Sequence, residues 1–111
     1  MINAKEELKR YINVEDILCA EVSSRLHGHK FTSMKLKIEY SKIALREFLK
    51  KLNFKYDDDE YGMQKLVGTI WMKNGSWLER CVNDGVEMWR VIELSKIPPY
   101  LHQKETKKIR L

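Results

Sequence analysis

Asp57-Asp58-Asp59-Glu60 is the densest run of metal-ligating or acid–base side chains in this 111-residue chain. Asp57, Asp59 and Gly62 fall at positions 1, 3 and 6 of a calcium loop of the EF-hand kind. Tyr61, however, stands at position 5, and Gly68 at position 12, where a bidentate Glu must close the coordination sphere. The run therefore reads as a solvated acidic loop, or as an acidic contact surface for a basic partner or for the chain's own lysines. A magnesium-dependent nuclease using Asp57, Asp59 and Glu60 in a basic surround ranks last. His27 and His29 flank Gly28 and offer two ring nitrogens to a metal, but no third ligand lies nearby, which favours an exposed loop. Cys19 and Cys81 lie too far apart for a zinc spacing and are too few for a disulfide framework, so both are expected as buried small hydrophobes. A Gly-rich phosphate loop, His-Glu-x-x-His, Gly-x-Ser-x-Gly and a supported Cys-His pair are all missing from the sequence. No catalytic residue, metal or cofactor is assigned, and a non-enzymatic protein is expected.

The cations are more suggestive. Residues Ser23 to Lys55 hold nine Lys or Arg and two acids, whereas Tyr56 to Gln103 hold five bases and eight acids, so the chain is electrically polarised. Lys35 and Lys37 on a strand, with Lys42, Arg46 and Lys50 at i, i+4 and i+8 of a helix, would make a basic face able to neutralise phosphates. Helix-turn-helix, zinc-finger and single-strand stacking signatures are missing beside it. A solvated helix surface, phosphate contact and contact with an acidic protein surface all remain open for this face.

The elements that must position these residues follow from periodicity. Net charge is +5, with 43% hydrophobic and 33% charged residues, enough apolar surface to fold and too little charge for a histone-like tail. One domain over residues 1–103 is expected, with a basic tail at 104–111. No window reaches 18 consecutive apolar residues and the start has no signal-type apolar run, so no membrane association and a cytoplasmic location are expected. Asn3 can cap a helix running to about Ile12, with Glu6 and Glu7 in the first turn and Lys9 and Arg10 in the last. Residues 17–22 and 34–40 read as strands, with Leu36 and Ile38 inward and Lys35, Lys37 and Glu39 outward, joined by a polar hairpin loop between Ser23 and Phe31. Ser41 can cap a second helix to Leu52, whose stripe Leu45, Phe48, Leu49 and Leu52 must pack on a sheet.

Two turns then organise the C-terminal half. Asn74-Gly75 and Asp84-Gly85 both suit two-residue type I′ loops. Under that assumption Met72 faces Trp77, Trp71 faces Leu78, Arg80 faces Trp89, Glu79 faces Arg90 and Trp77 faces Ile92. One side of the meander then carries Val67, Trp71, Leu78, Trp89 and Val91. The other carries Ile70, Met72, Trp77, Cys81, Met88 and Ile92, with Glu79 and Arg90 among them. Helices can cover only one side, so the second needs a foreign partner, a chain terminus or another copy of the chain. Trp77, Met72, Glu79, Arg90 and Met88 are the expected partner-binding residues. Pro98 and Pro99 should end the last strand. The order α-β-β-α-β-β-β predicts an α+β domain whose antiparallel sheet has helices on one face and a C-terminal three-stranded meander.

The stretch Val67-Gly68-Thr69-Ile70-Trp71-Met72-Lys73-Asn74-Gly75-Ser76-Trp77-Leu78-Glu79-Arg80, followed by Asp84-Gly85, Glu87, Trp89 and Ile97-Pro98, resembles small proteins encoded by phages and prophages. These share a Gly-Thr-Ile-Trp, Asp-Gly-Ser-Trp, Glu-Arg and Asp-Gly-x-Glu-Trp-Trp meander. Phe48 to Gly62 fits the helix and Phe-x-Tyr-Asp stretch that precede it there. Asn74 replaces their usual acid and Met88 a common tryptophan. The resemblance covers half to two-thirds of the chain and implies a host bacterial cytoplasm rather than an activity. For such a protein it suggests a stoichiometric inhibitor of a host protein or ribonucleoprotein complex, in the manner of anti-CRISPR and other anti-defence proteins. A nucleic-acid binder is the alternative.

Overall fold

The computed structural model describes residues 1–25, 32–56 and 64–93. The histidine pair His27/His29, the acids Asp57, Asp58, Asp59 and Glu60, Pro98 and Pro99, and the basic tail lie outside the described residues. Short strand β1 (Ile2–Asn3) leads into helix α1 (Ala4–Tyr11), which Asn3 caps by accepting the Glu6 N–H. A 3-10 turn (Val14–Asp16) delivers the chain to β2 (Ile17–Ser24), which pairs with β3 (Thr32–Leu36). Ser41 caps helix α2 (Lys42–Lys51) through the Ala44 N–H. A two-residue strand β4 (Lys55–Tyr56) pairs back onto β1, and β5 (Leu66–Met72), β6 (Trp77–Asn83) and β7 (Val86–Ile92) complete the main sheet.

The fold is α+β, as the periodicity predicts. Its main sheet is antiparallel in the order β3-β2-β5-β6-β7, so the N-terminal hairpin lies beside the meander. On one face, Ala20, Val22, Met34, Leu36, Ile70 and Leu78 pack with Leu8 of α1, with Phe48 of α2 and with Leu52 at the C-cap of α2. The α2 stripe thus does face the sheet. The β1–β4 clasp fixes where α1 enters this layer, reinforced by the Ala4 N–H on the Phe54 carbonyl at 2.8 Å and Asn3 Nδ2 on Asn53 Oδ1 at 2.9 Å.

Strand β3 ends earlier than the alternation in the sequence suggests. The chain leaves the sheet after Leu36 to feed α2, Glu39 adopts a positive φ of 64°, and Ile38, expected inward, is 60% exposed. Tyr40 replaces it as the inward residue, with its hydroxyl donating to the Ile17 carbonyl.

The first meander turn differs in a way that matters more. Strands β5 and β6 pair Ile70 with Leu78 and Trp71 with Trp77, one residue away from the expected register. The loop is three residues long, Lys73-Asn74-Gly75. The Met72 N–H donates to the Ser76 carbonyl, the Gly75 N–H donates to the Met72 carbonyl, and Gly75 has φ +93°. This is a three-residue hairpin with its glycine in the left-handed position rather than a type I′ turn. Asn74 stabilises it by accepting from both the backbone N–H and the hydroxyl of Ser76. A one-residue slip exchanges the faces of a strand. Met72 therefore turns into the core, 6% exposed, and Trp71 turns outward. The second turn is as expected: Asp84 and Gly85 take φ +53° and +80°, and Arg80 faces Trp89 and Glu79 faces Arg90.

Gly68 is a close backbone approach between β5 and β2. It has φ +144°, and a Cβ there would sit 2.3 Å from the Glu21 carbonyl oxygen and 2.7 Å from the Val22 Cα on the neighbouring strand. A methyl group must push β2 and β5 apart or force a backbone conformation L residues avoid. Gly68→Ala is expected to destabilise the domain by about 2 kcal/mol or more, read as a lower urea midpoint at unchanged slope. An unchanged midpoint would show that the strands yield freely.

Candidate functional site

The structure uses the two sides of the main sheet differently. On the helix-covered side, β6 sends Arg80 into the interior, with its side chain fully buried. Its Nη1 donates to Glu7 Oε2 on α1 at 3.0 Å, and its Nε donates to Glu87 Oε2 on β7 at 2.8 Å. Its Nη2 donates to the Tyr56 hydroxyl on β4 at 2.5 Å. Tyr56 in turn donates to Glu7 Oε1 at 2.5 Å, and Glu87 also accepts the Lys65 and Leu66 N–H groups at 2.7 and 2.8 Å. The guanidinium carbon lies 5.4 Å from the Tyr56 ring centroid and 5.2 Å from that of Trp89.

Burial by itself would lower the Arg80 pKa, but the Glu7 hydrogen bond and charge, with help from Tyr56 and Glu87, raise it above the usual arginine value. Burial, then the hydrogen bond to Glu7, push Tyr56 above its ordinary 10.0 against the opposing pull of Arg80. The polar side-chain atoms of Arg80, Glu7, Tyr56 and Glu87 bond one another or backbone N–H groups, whereas the buried Trp89 indole N–H has no hydrogen-bond partner among the described residues. The cluster ties α1, β4, β6 and β7 together and is structural.

The opposite side of the sheet has no helix on it among the described residues. There Val67, Thr69 and Trp71 of β5 lie beside Trp77, Glu79 and Cys81 of β6 and Met88, Arg90 and Ile92 of β7. Trp71 and Trp77 are direct cross-strand neighbours. Trp71 is 40% exposed, and the Trp77 indole N–H donates to Glu79 Oε1 at 3.1 Å. β2 and β3 extend this side with Cys19, Glu21, Ser23 and Lys35, where Lys35 reaches Glu21 at 3.8 Å. Both cysteines are half-buried free thiols on this side rather than core residues.

Of the five expected partner-binding residues, Trp77, Glu79, Met88 and Arg90 share the open side. Met72 does not, because the three-residue turn reverses its strand. Trp71 takes that place, and no local signal gives it, because Asn74-Gly75 suits a two-residue and a three-residue turn alike. The basic residues divide as well. Lys42, Arg46 and Lys50 line the exposed side of α2, which packs on the helix-covered side, while Lys35 projects from the open side and exposed Lys37 follows the end of β3. One continuous strand-and-helix basic face does not form, since α2 and the outward residues of β3 occupy opposite sides of the sheet.

Two concavities adjoin these surfaces. One of about 440 Å³ opens between the end of α1, the β5–β6 turn and the end of β7, lined by Tyr11, Asp16, Lys73, Ser76 and Glu93 among others. A shallower one of about 220 Å³ lies on the open side at Glu21, Ser23, Val67, Gly68, Thr69 and Trp71. Among the described residues no three His, Cys, Asp or Glu side chains converge as a metal would require, and no helix is long and apolar enough to cross a membrane. Comparison with protein-family models, curated proteins and solved structures gives no match.

Two outcomes test the separation of the buried cluster from the open side. Arg80→Met strands two buried carboxylates and is expected to cost about 3–5 kcal/mol in chemical denaturation, with Arg80→Lys recovering only part because it lacks the planar fork. A cost below about 1 kcal/mol would remove the cluster's structural role. The raised Tyr56 pKa favours the folded state while the phenol is protonated. Its contribution is therefore complete below pH about 10 and is lost as pH rises toward the higher folded value. Tyrosinate absorbance should accordingly show at least one phenol that ionises only on unfolding.

Proposed function

We propose that this chain is a non-enzymatic protein-binding module of the phage type its meander resembles. It would act as a stoichiometric inhibitor that docks the open side of its sheet on a host protein or ribonucleoprotein complex. The observation that supports this is the patch, free of helices among the described residues, in which exposed Trp71 and half-buried Trp77, Met88, Val67 and Ile92 adjoin across three hydrogen-bonded strands. Tryptophan anchors concentrate interface energy. Here they stand on a rigid sheet, so little side-chain or backbone freedom is lost when a partner covers them.

A second reading draws on α2. Lys42, Arg46 and Lys50 are exposed in one row and form no ion pair among the described residues. A nucleic acid laid along α2 would meet these cations and none of the open-side tryptophans. Its mark is salt: affinity for DNA or RNA should fall about tenfold or more between about 50 and 200 mM salt, and Lys42→Gln with Arg46→Gln should flatten that slope.

Affinity capture from a bacterial host lysate with the full chain, followed by mass spectrometry, identifies the partner. Trp77→Ala should then weaken the purified complex by about 2 kcal/mol, roughly thirtyfold, while the thermal midpoint of the free protein stays close to wild type. Unchanged affinity for that partner would remove the open side as its docking surface.

A further inference from the structure

The cross-strand register assembles a pattern on the open side that no single segment of sequence displays. Lys35 pairs with Glu21, Glu21 with Thr69, Thr69 with Glu79 and Glu79 with Arg90, so one straight row crosses all five strands. Its charges run positive, negative, neutral, negative, positive. Both acids are inside and both bases are at the edges. Trp71 follows Thr69 on the same side of β5. The small side chains of Ser23 and Thr69 leave the depression of about 220 Å³ between Glu21 and the indole.

We infer that this depression receives an arginine side chain presented by the partner protein, an inference that rests on the open side being the docking surface. The exposed part of the Trp71 indole offers a π face to a flat cation, and Glu21 at the wall offers a carboxylate to its N–H groups. The Thr69 hydroxyl supplies another acceptor, and Glu79, one strand further on, adds to the negative field. Among the described residues Glu21 is held by Lys35 at 3.8 Å, with both side chains about 60% exposed, a contact weak enough for an incoming guanidinium to displace. A guanidinium suits the site better than an ammonium because it can stack on the ring and bond in its own plane at the same time. The outer cations Lys35 and Arg90 call for acids around that arginine, so the partner surface has a basic centre and an acidic surround.

The same row argues against the two other occupants. A phosphate backbone crossing the centre would run over Glu21 and Glu79. A second copy laid fully on this side about a two-fold along the row, or across it at Thr69, would place each acid on itself or on the other acid, and each base likewise, because the row is symmetric about Thr69.

The test needs no identified partner. The probe is N-acetyl-arginine amide, titrated into the ¹⁵N-labelled full chain at matched ionic strength, with the neutral isostere N-acetyl-citrulline amide as the control. Arginine should move the Trp71 indole resonance and the amides of Glu21 and Thr69 by about threefold or more over citrulline, with weak, tens-of-millimolar affinity as befits a lone side chain. Trp71→Leu and Glu21→Gln should each remove most of the difference while leaving other resonances in place. Equal shifts from both probes, or arginine shifts centred elsewhere, would overturn the inference. So would a dimer in sedimentation whose dissociation on dilution moves these same resonances, since the occupant would then be a second copy. A partner that loses affinity for Trp77→Ala, with no arginine response here, would leave the docking surface standing and remove only the arginine receptor.

Discussion

A single guanidinium in an apolar interior is the constraint around which this fold is arranged. An isolated charge cannot be buried without large cost, so Arg80 must be met on all sides, and the residues that meet it come from separate parts of the chain. Glu7 arrives on α1, Tyr56 on β4, and Glu87 across the hairpin on β7. Each can reach Arg80 only when the N-terminal helix, the β1–β4 clasp and the meander are all in place. The carboxylate of Glu87 is further held by two backbone N–H groups at the start of β5, which extends the same requirement to a fourth segment. A buried ion pair is a poor source of net stability, but its directional bonds penalise alternative arrangements strongly. In this chain they select how α1 lies against the sheet.

That arrangement has a consequence for function. With the helices and the charged cluster on one side, the five strands carry no helix on the other among the described residues, and the β5–β6 turn decides what stands on it. One extra residue in that turn sends Met72 inward and Trp71 outward, creating the adjoining tryptophans and drawing Glu21, Thr69 and Glu79 into line. The structural residues and the candidate docking residues thus alternate along the same strands. Leu78 and Arg80 of β6 build the interior, and Trp77 and Glu79, which alternate with them, face out.

Local chemistry made much of this legible. Asn3 and Ser41 announce their helices because a side-chain acceptor beside a helical run satisfies an otherwise orphaned N–H. Asp84-Gly85 is legible because few residue pairs tolerate two positive φ angles, and the β6–β7 register follows from it. Asn74-Gly75 misleads because the same pair serves both a two-residue turn and the last positions of a three-residue turn; the choice rests on where Met72 and Trp71 pack, which is not local. Ile38 misleads for a similar reason. Alternation persists past the point where the chain must turn away, and nothing in the pattern marks that point except Ser41 downstream.

The sequence alone determined the class of the fold, the places where helices begin, the second hairpin and the presence of more apolar strand surface than two helices can cover. These depend on residues close together in the chain, whose preferences act before any long-range contact forms. Tertiary structure alone decided which tryptophan faces out, that Arg80 lies buried between two carboxylates and that charges from four strands form one row, symmetric about Thr69 on the fifth. Those outcomes rest on register and on the pairing of β2 with β5, in which each residue's environment is set by partners tens of positions away, so that moving one strand by a single residue exchanges interior for surface.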